Sequence, residues 1–183
     1  MSGINQDGTL KKIDKPKATT EAAIAASTGD LQSLQTVKHT FSMRDESGNI
    51  PLIWAADQGQ DQALEYILEN MPEEDEMKQD TGINVKGYLG NTALGRAARG
   101  GHTKCCQLLL NRKDINPNIC NEKMQYPLHF AAFKKHPETV KIMLDSGKCS
   151  TLVKDRKGRT PAEDTSVEEI KEMILAYREK TGM

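Results

Sequence analysis

Small and apolar positions return in one order along this chain: a short opener, an apolar pair, Ala-Ala, two loose positions and a Gly or its substitute. The copies are Thr20-Glu-Ala-Ala-Ile-Ala-Ala-Ser-Thr-Gly29, Ile50-Pro-Leu-Ile-Trp-Ala-Ala-Asp-Gln-Gly59, Thr92-Ala-Leu-Gly-Arg-Ala-Ala-Arg-Gly-Gly101 and Tyr126-Pro-Leu-His-Phe-Ala-Ala-Phe-Lys-Lys135. A decayed fifth copy begins at Thr160-Pro161. Successive openers lie 30, 42, 34 and 34 residues apart, a period that means stacked units rather than one globule. Behind the copies come apolar positions at helical spacing: Leu31, Leu34 and Val37; Ala63, Leu64, Ile67 and Leu68; Cys105, Cys106, Leu108 and Leu109; Val140, Ile142, Met143 and Leu144. Each unit is therefore predicted as a thin helix followed by an amphipathic one, a pair that cannot bury its apolar face without neighbours.

Local chemistry supports the same elements. A Thr opener can cap the first helix, and Pro at the next position suits the first turn, where no N–H partner is lost. The alanine pairs keep that helix thin, and Gly29, Gly59 and Gly101 can end it in the left-handed conformation. Turn-prone stretches at 44–48, 86–90, 121–124 and 155–158 separate the units; Asp or Asn with Gly three residues on reads as a tight reversal.

The pattern resembles the ankyrin repeat, whose word is Thr-Pro-Leu-His-x-Ala-Ala-x-x-Gly-His followed by a Val/Leu-rich second helix. The best fragment is Pro127-Leu128-His129, followed by Thr160-Pro161; the His place holds Ala23, Ile53, Gly95 and Glu163 in the other copies. The resemblance covers roughly residues 15–180. It implies an all-α solenoid of stacked helix-turn-helix units with hairpin-like fingertips projecting beside the first helices. On this reading residues 1–14 are a flexible leader and 15–183 one domain, with repeats at about 15–44, 45–86, 87–120 and 121–154 and a C-terminal cap at 155–183. The second repeat carries an acidic insertion at 70–82. In the cap, apolar residues at 167, 170, 173, 174 and 177 predict one helix with a single apolar face, suited to closing the stack against water.

Composition narrows the function classes. The 183 residues carry a net charge of −1 and 37% hydrophobic residues, with a mean hydropathy of −0.63. No apolar run approaches a membrane span and no signal-peptide core is present, so an intracellular protein, cytoplasmic or nuclear, is expected. The four cysteines, at 105, 106, 120 and 149, lack Cys-x-x-Cys spacing and are expected as reduced, mostly buried thiols. Near-neutral charge disfavours nucleic-acid binding, although Lys134, Lys135, Lys148, Lys154, Arg156, Lys157 and Arg159 crowd the C-terminal part and admit a nucleic-acid binder through this Lys134–Arg159 cluster as an alternative.

Candidate chemistry is thin. His102, Cys105 and Cys106 fall on adjacent turns of one helix, which admits a thiol-dependent enzyme as an alternative; in the repeat register they are the Gly-His and core positions instead. The resemblance gives His129 an inter-unit hydrogen bond rather than catalysis. Glu73, Glu74, Asp75 and Glu76 lack the alternating ligands of a calcium loop. Neither cofactor nor metal is expected.

What remains is a non-catalytic protein–protein interaction module, monomeric by itself, that binds a protein or peptide through the concave face of fingertips and first helices. Carried over position by position, the resemblance implies contacts at Glu46, Ser47, Asn49, Asp57 and Gln58 in the second repeat. The third contributes Tyr88, Leu89, Asn91, Arg99 and Gly100, and the fourth Glu122, Lys123, Gln125, Phe133 and Lys134. Arg156, Lys157 and Arg159 complete the set on the last fingertip. Trp54 and Phe130, just before Ala-Ala, are expected in the core, and Phe133, just after it, in the groove. The wall should run from acidic or neutral to basic along the chain.

Overall fold

The computed structural model describes residues 17–71 and 82–181. The expected 1–14 leader lies outside these residues, as does 72–81, most of the expected insertion. Among the described residues the chain forms ten α-helices and no strand: α1 (Glu21–Thr28), α2 (Leu31–Thr36), α3 (Pro51–Gln58), α4 (Asp61–Asn70) and α5 (Ala93–Gly100), then α6 (Thr103–Asn111), α7 (Pro127–Phe133), α8 (Pro137–Asp145), α9 (Pro161–Asp164) and α10 (Glu168–Thr181). They pack in two rows. The odd-numbered helices lie one on the next from α1 to α9, and the even-numbered ones follow behind them from α2 to α10.

The first helices start as the residue chemistry requires. Thr20 Oγ1 accepts from the Ala23 amide at 3.2 Å, and Thr92 Oγ1 from Gly95 at 3.1 Å. Ile50 and Tyr126 have no capping side chain, and there Pro51 and Pro127 occupy the first turn. Thr160 is held reciprocally, its amide donating to Glu163 Oε2 at 2.7 Å. The alanine pairs are buried in α1, α3, α5 and α7. Behind them Leu34, Leu64, Ile67, Cys106, Leu109, Val140 and Met143 fill the space between rows. Trp54 and Phe130 are in the core, as their place before Ala-Ala predicts.

Neighbouring units are stitched by one recurring contact. The first helices of the first three repeats end at Gly29, Gly59 and Gly101, with φ of 77°, 68° and 71°. The side chain that opens the next unit's second helix rests on each of them: Gln60, His102 and His136. A Cβ on Gly101 would stand 2.6 Å from His136 Nδ1. Each of these side chains also reaches a carbonyl in the last turn of the helix below. Gln60 Nε2 donates to Ser27 O at 3.3 Å, His102 Nε2 to Asp57 O at 3.1 Å and His136 Nε2 to Arg99 O at 3.2 Å. A carbonyl can only accept, so both imidazoles carry the proton on Nε2. Lys135 takes the Gly place in the fourth repeat at φ 64°. Nothing needs to rest there, because α9 stops after one turn and the chain runs directly into α10.

α10 closes the C-terminal end, with Ile170 and Ile174 fully buried against α8 and α9. Val167, Met173 and Tyr177 pack partly buried around them. Its Arg178 donates to Thr151 O at 2.9 Å. Beneath this end lies His129, whose Nε2 donates to Arg159 O at 2.9 Å while Nδ1 is buried without a partner. Burial pulls the imidazole below its ordinary value of 6.5, against the opposing pull of that carbonyl and of the Asp164 and Asp155 charges.

Two predictions follow from this packing. Replacing Lys135 with Gly relieves a left-handed lysine and should raise thermal stability by about 1 kcal/mol, whereas Gly101→Ala, which drives a Cβ into the His136 ring, should cost roughly 2 kcal/mol or more; denaturant melts read both. A neutral His129 stabilises the fold fully above pH 6.5. As pH falls through that value the unfolded chain takes up the proton before the folded one does, so stability declines. Wild type should lose more stability than His129→Gln between pH 7.5 and pH 5 in urea titrations, and parallel losses would refute the assignment.

Candidate protein-binding surface

Four fingertips project beside the first helices, each a reversal closed on itself. Asp45 N donates to Asn49 O at 2.9 Å, Gly87 N to Asn91 O at 2.9 Å, Asn121 N to Gln125 O at 3.0 Å and Asp155 N to Arg159 O at 2.9 Å. In three of them the first side chain also accepts two amides of its own turn. Asp45 Oδ1 takes Ser47 and Asn49, Asn121 Oδ1 takes Lys123 and Gln125, and Asp155 Oδ1 takes Lys157 and Arg159. Gly87 has no such side chain; instead Asn49 Oδ1 of the preceding fingertip accepts from the Tyr88 amide at 2.8 Å. The tips are joined further by Glu122 N donating to Leu89 O at 3.2 Å and Asn121 Nδ2 to Asn91 Oδ1 at 3.2 Å.

In three of the four units with a fingertip, the residue at the place before Ala-Ala ties the tip to its own helix, with different chemistry each time. Trp54 Nε1 donates to Asp45 Oδ2 at 2.6 Å. At the same place in α5 stands Arg96, only 8% exposed. It donates to Tyr88 O at 3.3 Å, pairs with Asp57 at 3.4 Å and lies 6.0 Å over the Tyr88 ring. Its Nε has no partner, and burial pulls its guanidinium down from the ordinary value against the Asp57 charge. In α9 the place belongs to Asp164, 2.7 Å from an Arg159 nitrogen without hydrogen-bond alignment; burial pushes its carboxyl up despite that charge.

Against this geometry the expected contact residues separate. Glu46, Gln58, Leu89, Arg99, Glu122, Lys123, Phe133, Lys134, Arg156 and Lys157 are exposed, and Ser47, Asp57, Tyr88 and Gln125 are half-buried. Lys134 Nζ sits 5.7 Å over the Phe133 ring. Asn49 and Asn91 are corrections: both are buried, their side chains used within and between fingertips. Gly100 offers no side chain, and a Cβ there would collide with the His102 ring. Arg159 forks onto Asp155 at 2.8 and 3.2 Å and neighbours Asp164, so its charge is engaged inside the fold.

Arg96 and Met124 were missed. Register marks Arg96: a cation where the other Ala-Ala copies hold Ile24, Trp54 or Phe130 must be paired or exposed. Met124, 46% exposed at φ 56°, stands where the other tips have Gly48, Gly90 and Gly158.

Cys105, Cys106 and Cys149 are buried, and burial pushes the Cys105 and Cys149 thiols up to about 12 and Cys106 higher still, the reverse of an activated nucleophile. His102 is directed at the Asp57 carbonyl. Of the C-terminal basic residues, Lys148 Nζ is bound to Leu110 O at 2.7 Å and Arg112 O at 2.8 Å and Arg159 is paired, which leaves Lys134, Lys135, Lys154, Arg156 and Lys157 exposed. Among the described residues no three His, Cys, Asp or Glu side chains converge on a metal site, and no helix is long and apolar enough to cross a membrane.

Comparison with known proteins agrees with the architecture. The family described as Ankyrin repeats (3 copies) matches residues 21–119 and 75–155. Among similar proteins is the Putative E3 ubiquitin-protein ligase XBAT31 of Arabidopsis thaliana, 28% identical over 141 residues, or 68% of this chain and 28% of that protein. Another is the Probable E3 ubiquitin-protein ligase XBOS32 of Oryza sativa subsp. japonica, 31% identical over 134 residues, or 66% of this chain and 23% of that protein. The chain thus spans about a quarter of the length of these relatives. The recurring helix pairs, the glycine-seated stitch between them and a family match covering most of the sequence lead to one assignment: this chain belongs to the ankyrin-repeat family.

Proposed function

We propose that this chain is a non-catalytic adaptor that holds another protein, or a peptide segment of one, against the wall of fingertips and first helices. Ankyrin stacks bind other proteins, and their repeats form extended concave surfaces. The observation that carries the finer reading is Phe133. It is 49% exposed directly after the buried Ala131 and Ala132, on a row whose other members, Ser27, Asp57 and Arg99, are polar. A large aromatic left in water on a rigid wall is the kind of group that anchors interfaces. The stitches beneath it hold the wall in shape, so little ordering entropy opposes association. The ligase names of the two relatives fit this role, since selecting a substrate protein is a binding task. Four unpaired cysteines support a reducing, intracellular setting.

Hydrogen exchange with a captured partner tests the location. Binding should slow exchange at 88–90, 122–125 and 133–135 and leave α4, α6 and α8 unchanged; protection confined to those second helices would place the interface on the opposite side. The enzyme alternative predicts a fast native thiol. We expect Cys105, Cys106 and Cys149 to label at least roughly a hundredfold slower in the folded than in the unfolded chain, since access to a buried core thiol requires opening, with half-buried Cys120 the first to react.

A further inference from the structure

We infer that the segment this wall takes is acidic and carries one bulky apolar side chain. The inference rests on the proposed wall as the binding surface and adds the chemistry of its occupant. Three of the large hydrophobics left in water, Leu89, Met124 and Phe133, are 43%, 46% and 49% exposed and belong to two successive repeats. Leu89 and the tip bearing Met124 are joined directly, through the Glu122 amide on Leu89 O. Phe133 follows at the end of the first helix behind that tip. The charge around them is one-sided. Arg99, Lys123, Lys134, Lys135, Arg156 and Lys157 are exposed on the tips and helix ends from the third repeat onward.

The carboxylates that would balance these cations are engaged elsewhere. Asp57 faces Arg96, Asp155 holds its own fingertip and Arg159, Asp164 is buried beside Arg159, and Glu163 is bound to Thr160. Glu122 alone stands exposed on this stretch of tips without such a partner among them. Arg96 matters because it pairs with Asp57, the acid that holds in the second repeat the place that Arg99 and Phe133 hold in the third and fourth. A basic segment would meet like charge from the third repeat to the last, whereas an acidic one is drawn in by the field and then held by its apolar side chain beside Phe133. Two of the three exposed apolar side chains, Leu89 and Met124, are aliphatic and give a base no aromatic face to stack on, which favours a protein segment over a single-stranded nucleic acid.

The full chain, immobilised, should be panned against a random peptide library displayed on phage, in parallel with Phe133→Ala and with Arg99→Glu/Lys134→Glu. All of these positions are exposed, and a thermal melt confirms that each variant is folded. Peptides enriched on the wild type should have acidic residues flanking a Leu, Met or aromatic residue. A synthetic peptide of that sequence should lose roughly tenfold or more in affinity on Phe133→Ala and weaken with added salt. The double reversal should shift the selection away from acidic sequences. Basic or neutral winners that still require Phe133 would overturn the acidic chemistry while leaving the wall as the binding surface. Winners indifferent to both variants would remove the wall itself. No enrichment, or enrichment of acidic peptides that ignore the double reversal, would also overturn the inference.

Discussion

The distance between one helix pair and the next governs this molecule, and it is set by what the chain leaves out. Ala25 and Ala26, Ala55 and Ala56, Ala97 and Ala98, and Ala131 and Ala132 are buried where one first helix meets its neighbours. The glycines that end the first three of these helices admit an imidazole or amide directly onto the backbone. Close packing at protein density leaves no slack for added methylenes at such a contact. Because each unit touches only its neighbours, a local change in spacing is not averaged over a large core; it displaces everything stacked beyond it. The hydrogen bond from Gln60, His102 or His136 into the helix below then fixes rotation as well as distance.

The same economy explains why the wall of fingertips and first helices can vary from repeat to repeat while the stack does not. The position before Ala-Ala carries an indole in α3, a guanidinium in α5, a phenyl ring in α7 and a carboxylate in α9, all buried. Trp54, Arg96 and Asp164 each reach their own fingertip, so the link between helix and tip persists through three chemistries. The substitutions are not equivalent in cost. A buried guanidinium with long contacts and an unpartnered Nε is poorly compensated, and breaking its pair with Asp57 would leave a charge stranded in the wall. What Arg96 changes is the surface: it pairs with an acid on the wall, and the exposed charges on the later tips are basic apart from Glu122.

The C-terminal end shows how the stack stops. Replacing Ala-Ala by Thr165 and Ser166 ends α9 after a single turn, and the chain enters a longer helix whose Ile170 and Ile174 fill the last groove. Because the fifth unit enters its second helix without a Gln or His at the start, no such side chain has to be seated on the left-handed position of the fourth repeat. That absence is the physical reason Lys135 is tolerated where its counterparts are glycine.

From the sequence alone came the repeat, the helix pairs, the buried alanines and thiols, the closing helix and the family resemblance. All are local patterns of spacing, size and capping written into each unit. Exposed wall positions such as Phe133 and Lys134 were legible too, because register places them immediately after the buried pair. Tertiary structure alone decided which polar side chains remain available. Asn49, Asn91 and Arg159 have the composition of a binding surface, but each meets a group from 3 to 39 residues away that satisfies it inside the fold. Arg96 is the converse, a cation hidden by Asp57 and Tyr88, whose partnership appears only when two units stack. A repeat fixes where a side chain starts; the neighbouring repeat fixes whether water or protein meets its end.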